Sequence, residues 1–450
     1  MTKLHTIIFS ALLGAIPAHG ASPVLGIDGE EHSSIGIYIK DLNADSVLFE
    51  SDAERALIPA SIMKAFTSAS ALSILGPEYR FTTQVNLVGT LNQADSLFTG
   101  NIQIIPSGDP TLESAHFKST AGFCDSVAKK LTRVGIAHIK GEVIITDDMP
   151  GDGPVPQWEI DDVAWAYGAG IHRLNYRDNI FQLNPATGQT RPTVPSLDIT
   201  VMKSASGNNL VRGMWSDHLF VFGATPTNKK WVVTSTMPSP AAVLKYELTQ
   251  HLADAGIEVS EPDAKLAANA QVTPLYTHNS VRLRYILRSL MVRSDNMFAE
   301  GVLRAFAPGS TRDRAISKEL ALWKDRGLST QYITVKDGSG LARVDRLSPR
   351  FLGEVLEYMA DSEYAALYTS LFPRAGKEGT VKSFMAKTPL SGRLVLKSGS
   401  MNGVQCYAGY LLDSNDTPSH VVVFIANSFF CDRATLRTAL QNLLLDKLTE

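Results

Sequence analysis

PASIMKAF, residues 59–66, decides how this chain is read. It opens the run SIMKAFTSASALSIL, rich in Ala, Leu, Met and Ile and free of breakers until Gly76-Pro77, which predicts a largely buried helix. Ser61 and Lys64, at i and i+3, then share one helix face, with the positive end of the helix dipole beside the serine. Serine is a poor nucleophile until a base takes its proton. Lysine is a base only when neutral, and at its ordinary pKa that form costs roughly 4 kcal/mol at pH 7. Burial and a second cation nearby are the ways to lower the cost, so the pair demands another positive charge from elsewhere in the chain. The spacing alone is weak, because Ser126 and Lys129 repeat it in DSVAKKLTR, whose adjacent charges describe a solvated helix face.

Two later motifs give the pair a context. Ser294-Asp295-Asn296 falls where one helical run, SVRLRYILRSLMV, ends and another, NMFAEGVLRAFA, begins. A chance Ser-x-Asn also occurs at Ser206 to Asn208, so this element is soft by itself. Lys397-Ser398-Gly399 lies in the strand-like RLVLKSGS and is the only Lys-Ser/Thr-Gly in the chain. Its lysine is a candidate for the cation that Lys64 requires. Ser-x-x-Lys, Ser-Asp-Asn and Lys-Thr-Gly, in this order, mark class A β-lactamases and penicillin-binding proteins.

The surrounding sequence sets the architecture. SIGIYIK and VLFES, joined by DLNADS, alternate apolar and polar residues as a β-hairpin does. The chain closes with VQCYAGYLLD, HVVVFIAN and an amphipathic helix from about Asp432 to Leu448, whose stripe Leu436, Leu440, Leu443 and Leu444 is expected to pack against the last strands. Between residues 80 and 270, short strand-like runs separated by Gly, Pro, Asn and Asp form a β-rich stretch with helices only near 120–134 and 240–255. The expectation is an α+β fold in which early and late strands share one antiparallel sheet flanked by helices, with a large β-rich insertion forming one or two extra domains. The catalytic part is expected at 21–76 and 273–450, an inserted domain at 77–99 and 164–272, and a second domain nested at 100–163.

Composition bounds the function. The 450 residues include 44% apolar and 19% charged side chains with a net charge of −3, an ordinary globular balance with no electrostatic draw toward nucleic acid. Lys3, the apolar run TIIFSALLGAIPA and Ala18-His19-Gly20 have the layout of a secretory leader over residues 1–20. No later run reaches the length of a membrane span, so the mature chain is expected to be soluble outside the cytoplasm. Three cysteines, Cys124, Cys406 and Cys431, allow at most one bridge; Cys406 with Cys431 and a set of plain buried thiols are both open. The ten histidines lack metal-ligand spacing, so neither a metal nor another cofactor is expected.

VKDGSGLARVDRLSP, from Val335, turns these motifs into a family likeness. The chain resembles the type-4, class C low-molecular-mass penicillin-binding proteins, serine D-Ala-D-Ala carboxypeptidases that are also endopeptidases. The stretches PASIMKAF, LGPEYRFTT, SGDPTL, DGSGLAR, GKEGTVKSFM and KSGSMNGVQCYAGYL carry the likeness across essentially the whole mature chain. The long insertion between the first and second motifs is itself a mark of the class.

The resemblance implies that Ser61 attacks the carbonyl between two terminal D-alanines, with Lys64 as base, discharged by Lys397. Ser294 would pass a proton to the leaving amine, and Asn296 would hold both Lys64 and the substrate amide. Backbone N–H groups of Ser61 and Ser400 would form the oxyanion hole, while Lys397, Ser398, Gly399 and Ser400 would line the site of the terminal carboxylate. Arg343 could add to carboxylate binding. Asp295 is expected to cap its helix. In WEIDDVAWAY, Asp162 and Tyr167 have the spacing of a family pair that meets the side-chain amine of the peptide's diamino acid, with Asp161 as the alternative acid. The implied partners are peptidoglycan stem peptides, with β-lactams as covalent inhibitors. Two departures stand out: Ser398 replaces the usual threonine, and AYGAGIHRLN replaces a Ser-Ala segment. A β-lactamase, or an inactive wall- or penicillin-binding module, are the competing functions.

Overall fold

The computed structural model describes residues 24–449, apart from 147–151, 196, 204–207, 224–231 and 263–268. The expected leader at 1–20 and Ser206 of the chance motif lie outside the described residues. The two ends of the chain meet in one five-stranded antiparallel sheet, ordered Leu394–Met401, Val404–Leu412, Pro418–Asn427, Ser34–Asp41, Ser46–Ser51. Ser34 pairs with Asn427 and Lys40 with Val421, so the first strand is closed onto the last. Val404–Leu412 is buried along its whole length. It reads as an apolar run because both faces of the sheet are covered.

On one face lies the C-terminal helix Arg433–Leu448, started by Asp432, whose carboxylate accepts from the N–H groups of Ala434 and Thr435 at 2.8 and 2.9 Å. Such a cap is worth about 1 kcal/mol. Leu436, Leu440 and Leu444 are buried there against Ile37, Ile39, Val422 and Phe424. Each contributes roughly 1.5–3 kcal/mol by leaving water. The other face carries the helix Met63–Leu75, buried almost all round among Leu287, Phe298, Trp323 and Phe351. Small Ala and Ser residues let neighbours close on every side of it. It stops at Gly76, whose φ of 77° ends the helical run.

The β-rich insertion is built on a six-stranded sheet whose hairpin Thr82–Asn92 and Leu97–Ile105 takes the chain out and whose strand Val272–Asn279 brings it back. Two three-stranded sheets complete it. Two expected boundaries move. The break between 99 and 100 falls inside the strand Leu97–Ile105, because Gly100 is a mid-strand position and not a turn: a Cβ there would lie 2.2 Å from the Val88 carbonyl oxygen of the neighbouring strand. The return at 273 also falls inside a strand, since Thr82 still pairs with Asn279. The helical part resumes at Leu283–Arg293.

Candidate active site

Ser61 sits in a short 3-10 turn, Ala60–Ile62, that feeds directly into the helix Met63–Leu75. Ala60 before it has a φ of 46°, a strained conformation costing on the order of 1–3 kcal/mol unless the surroundings impose it. What imposes it is the edge strand Leu394–Met401, which passes so close that a Cβ on Gly399 would lie 2.8 Å from the Pro59 carbonyl oxygen and 2.9 Å from the Ser61 nitrogen. Only glycine admits this approach, and it brings Lys397-Ser398-Gly399 against the serine.

Lys64 is wholly buried. Its Nζ donates to Ser61 Oγ at 3.0 Å, to Asn296 Oδ1 at 2.6 Å and to the Ser339 carbonyl at 2.7 Å. All three partners are neutral. Burial pushes the ammonium down from 10.5 to about 8, while the carboxylates of Asp337, Asp295 and Glu300 pull the other way.

The second motif fills the join between the helices Leu283–Arg293 and Asn296–Arg304. Ser294 terminates the first in a left-handed conformation, φ 61°. Asp295 caps the second, accepting from Phe298 N at 2.9 Å, as its sequence position implies. That sharp turn aims Ser294 Oγ at Lys397 Nζ, 2.9 Å away, and Asn296 at Lys64. Asn296 Nδ2 also donates to the Tyr167 carbonyl at 2.8 Å, which fixes the orientation of its amide and ties the insertion to the site.

Lys397 is buried too, donating to Ser294 Oγ and to the Ser398 carbonyl at 2.6 Å. Burial first, and the charge on Lys64 second, hold its ammonium well below the usual range. This revises the expected division of labour, in which Lys397 is the cation that discharges Lys64. Lys64 has three carboxylates in its field and Lys397 has none to offset its burial, so the repulsion between the two bears on Lys397.

Ser398 does not stand free: its Oγ donates to Thr380 Oγ1 at 2.7 Å, a restraint that replaces the missing methyl of threonine. Leu396 N donates outward from the sheet edge to the Pro373 carbonyl at 3.0 Å. Strand alternation therefore turns the N–H groups of Ser398 and Ser400 to the same open edge. A cleft of about 510 Å³ lies there, lined by Ser61, Ser294, Asn296, Ser400, Arg343, Glu159, Asp162 and Tyr167 among others.

Asp162 and Tyr167 reach the cleft because their segment is pinned at both ends. Trp158, buried against Ala342, donates from Nε1 to Asp337 Oδ2 at 2.6 Å, and Asn296 holds the Tyr167 carbonyl. Tyr167 is half exposed and its hydroxyl donates to Asp162 Oδ1 at 2.8 Å. Asp161 is exposed and is not among the residues lining the cleft. Arg343 is engaged by Glu159, Nε to Oε1 at 2.7 Å, and donates to the Asn402 carbonyl at 3.3 Å. The decoy Lys129 is exposed on the helix Phe123–Arg133. The three cysteines are unpaired. Among the described residues, no group of three or more His, Cys, Asp or Glu side chains converges on a metal position.

One central residue lies outside the three motifs. Asp337 is wholly buried and accepts from Ser339 N (3.0 Å), Gly340 N (2.5 Å), Ala342 N (2.8 Å) and the Trp158 indole. It shapes the loop whose Ser339 carbonyl holds Lys64. Its trace in the sequence is Asp-Gly-Ser-Gly, a side-chain-to-backbone turn signature.

The model of the D-Ala-D-Ala carboxypeptidase 3 (S13) family matches residues 24–445. A D-alanyl-D-alanine carboxypeptidase from Actinomadura sp. is 25% identical over 416 residues, covering 84% of this chain and 74% of that protein. Among solved structures, penicillin binding protein 4 (dacB) from Haemophilus influenzae has the same fold, with a TM-score of 0.77 at 22% identity over 92% of this chain and 96% of that one. A predatory endopeptidase from Bdellovibrio bacteriovorus aligns with a TM-score of 0.52 at 15% identity, covering 92% of this chain and 94% of its own. A match over almost every described residue, rather than over the three short motifs alone, settles the relationship: the chain belongs to the D-Ala-D-Ala carboxypeptidase 3 (S13) family.

Proposed function

We propose that this chain removes the terminal D-alanine from peptidoglycan stem peptides, and opens D-alanyl–diamino acid cross-links, through an acyl-enzyme on Ser61. The observation that carries the reading is Lys64: buried, 3.0 Å from Ser61 Oγ, and held only by neutral acceptors. With its pKa near 8, the neutral form costs only about 1.4 kcal/mol at pH 7.

Ser61 Oγ attacks the carbonyl carbon of the penultimate D-alanine as Lys64 takes its proton. The N–H groups of Ser61 and Ser400 face the developing oxyanion, each such donor commonly contributing about 3 kcal/mol. The C–N bond breaks as Ser294 Oγ, backed by Lys397 Nζ, gives a proton to the leaving amine, and water then hydrolyses the ester. The terminal carboxylate sits toward Lys397, Ser398 and Ser400, with Arg343 at the rim. It would stand as an anion beside Lys397, whose charged form burial and Lys64 disfavour.

Asp162 and Tyr167, at the far side of the cleft, suit a cationic side chain on the third residue of the stem peptide. The carboxypeptidase and endopeptidase relatives support both activities, and β-lactams, which carry the same carboxylate beside a strained amide, fit as acylating inhibitors. We place the enzyme in the cell envelope of a bacterium, exported by its leader; no helix of the described residues is long and apolar enough to cross a membrane. The test is incubation of wild-type and Ser61→Ala protein with cross-linked and uncross-linked muropeptides, with products identified by mass. Wild type should release D-alanine and split dimers; release by Ser61→Ala would sink the mechanism.

A further inference from the structure

Behind the Ser339 carbonyl lies a buried carboxyl that takes no part in the chemistry above. Glu300 is on the helix that Asn296 starts, one turn past it, and is wholly inaccessible. Its Oε1 accepts from Gly338 N at 2.7 Å and its Oε2 faces Arg312 Nε at 3.3 Å. The hydrogen bond falls on the residue directly before Ser339, whose carbonyl holds Lys64 at 2.7 Å. Thr67, one turn along the helix from Lys64, holds the other side of the same residue by donating to the Gly338 carbonyl at 2.8 Å.

We propose that Glu300 is a positioning residue that sets how tightly Lys64 holds its proton, through its charge and through its hold on Gly338 N–H, next to Ser339 in the loop. The inference rests on Lys64 being the base. A carboxylate in this place does two things. It keeps the Ser339 carbonyl aimed at Nζ, and it opposes the burial that draws the proton off the lysine.

The groups facing Glu300 come from every element around it: Lys64 from the helix Met63–Leu75, Arg304 farther along its own helix, Arg312 and Glu319 from the helix Arg312–Asp325, and Asp337 and Asp345 from the loop. Burial and Asp337 push its carboxyl up to about 7, with Arg312 opposing. Its charge therefore changes in the same range in which the base must work. As pH falls and Glu300 gains a proton, its pull on the lysine's proton weakens, which softens the loss of neutral Lys64 on the acid side.

Glu300→Gln keeps an acceptor for Gly338 N–H and removes the charge. The second-order rate constant for acylation by a fluorescent penicillin is measured between about pH 5.5 and 9, alongside the thermal midpoint, because this constant reports the ionisations of the free enzyme. The acid limb should move down by roughly one pH unit, the scale on which a neighbouring buried charge acts. Arg312→Gln removes the cation that keeps Glu300 ionised, and Arg312 is not among the charges acting on Lys64 directly. That variant should move the limb the same way, and it carries the test if Glu300→Gln does not fold. Folded variants with a lowered midpoint and an unmoved limb would reduce Glu300 to a structural ion pair and overturn the proposal. A wild type not acylated at Ser61 would instead overturn the reading of the site itself.

Discussion

Replacing Asp337 by asparagine tests whether the buried loop, and not only the three motifs, builds the site. Asp337 takes two donors on each oxygen: Ser339 N and Gly340 N on Oδ1, Ala342 N and the Trp158 indole on Oδ2. Asparagine has one oxygen, so in either orientation its amide nitrogen meets two N–H groups with nothing to accept them. A hydrogen bond to a charged group contributes roughly 1.5–3 kcal/mol, so losing two costs about 3–6 kcal/mol. Set against a typical total stability of about 5–15 kcal/mol, that loss is large.

Part of it can be absorbed by the loop letting go, and the loop ends on the Ser339 carbonyl that holds Lys64. The substitution also removes the first of the charges that keep the proton on Lys64. Asp337→Asn should therefore lower the urea midpoint, slow acylation at its pH plateau, and shift the acid limb of whatever activity remains to lower pH. Urea unfolding followed by tryptophan fluorescence, with acylation by a fluorescent penicillin, reads all three. A variant with wild-type midpoint and wild-type acylation would refute the assignment of the loop as the support of the base.

On the proposed mechanism the neutral form of Lys64 is the base, and burial holds its pKa down to about 8. The acylation constant should then rise with pH below that value, by up to about tenfold per pH unit, and level off above it; a profile flat from about pH 6 to 9 would contradict Lys64 as base. Gly399→Ala should cut acylation by about a hundredfold or more, because its Cβ would lie 2.8 and 2.9 Å from the Pro59 oxygen and the Ser61 nitrogen and must displace the nucleophile from the strand. An unchanged acylation rate in that variant would show that the close approach is dispensable.

The parts of this protein that could be read in advance are those set by local chemistry. The helix opened by Ser61 and stopped at Gly76, the hairpin Ser34–Asp41 and Ser46–Ser51, and the final helix capped by Asp432 all follow from periodicity and capping residues within a few positions. The boundaries of the insertion were less legible, because Gly100 looks like punctuation in a sequence and is a crowded mid-strand contact in the sheet. The short helix Ala365–Leu371 went unread, since seven residues give too little periodicity to see.

The site divides in the same way. By itself the sequence determined which side chains are available: a serine one helical turn before a lysine, a Ser-Asp-Asn between two helices, and a single Lys-Ser-Gly strand. It also determined that the lysine needs a low pKa. Only the tertiary structure decided how that is achieved, because desolvation and charge depend on what surrounds a group and not on its neighbours in the chain. Burial, and not Lys397, lowers Lys64, and burial together with the charge on Lys64 lowers Lys397. Asp337 and Glu300, 273 and 236 positions beyond Lys64 in the chain, accept from N–H groups of the loop whose Ser339 carbonyl accepts from the lysine. Nothing in their local sequence states that they are buried, and burial is what gives their charges force.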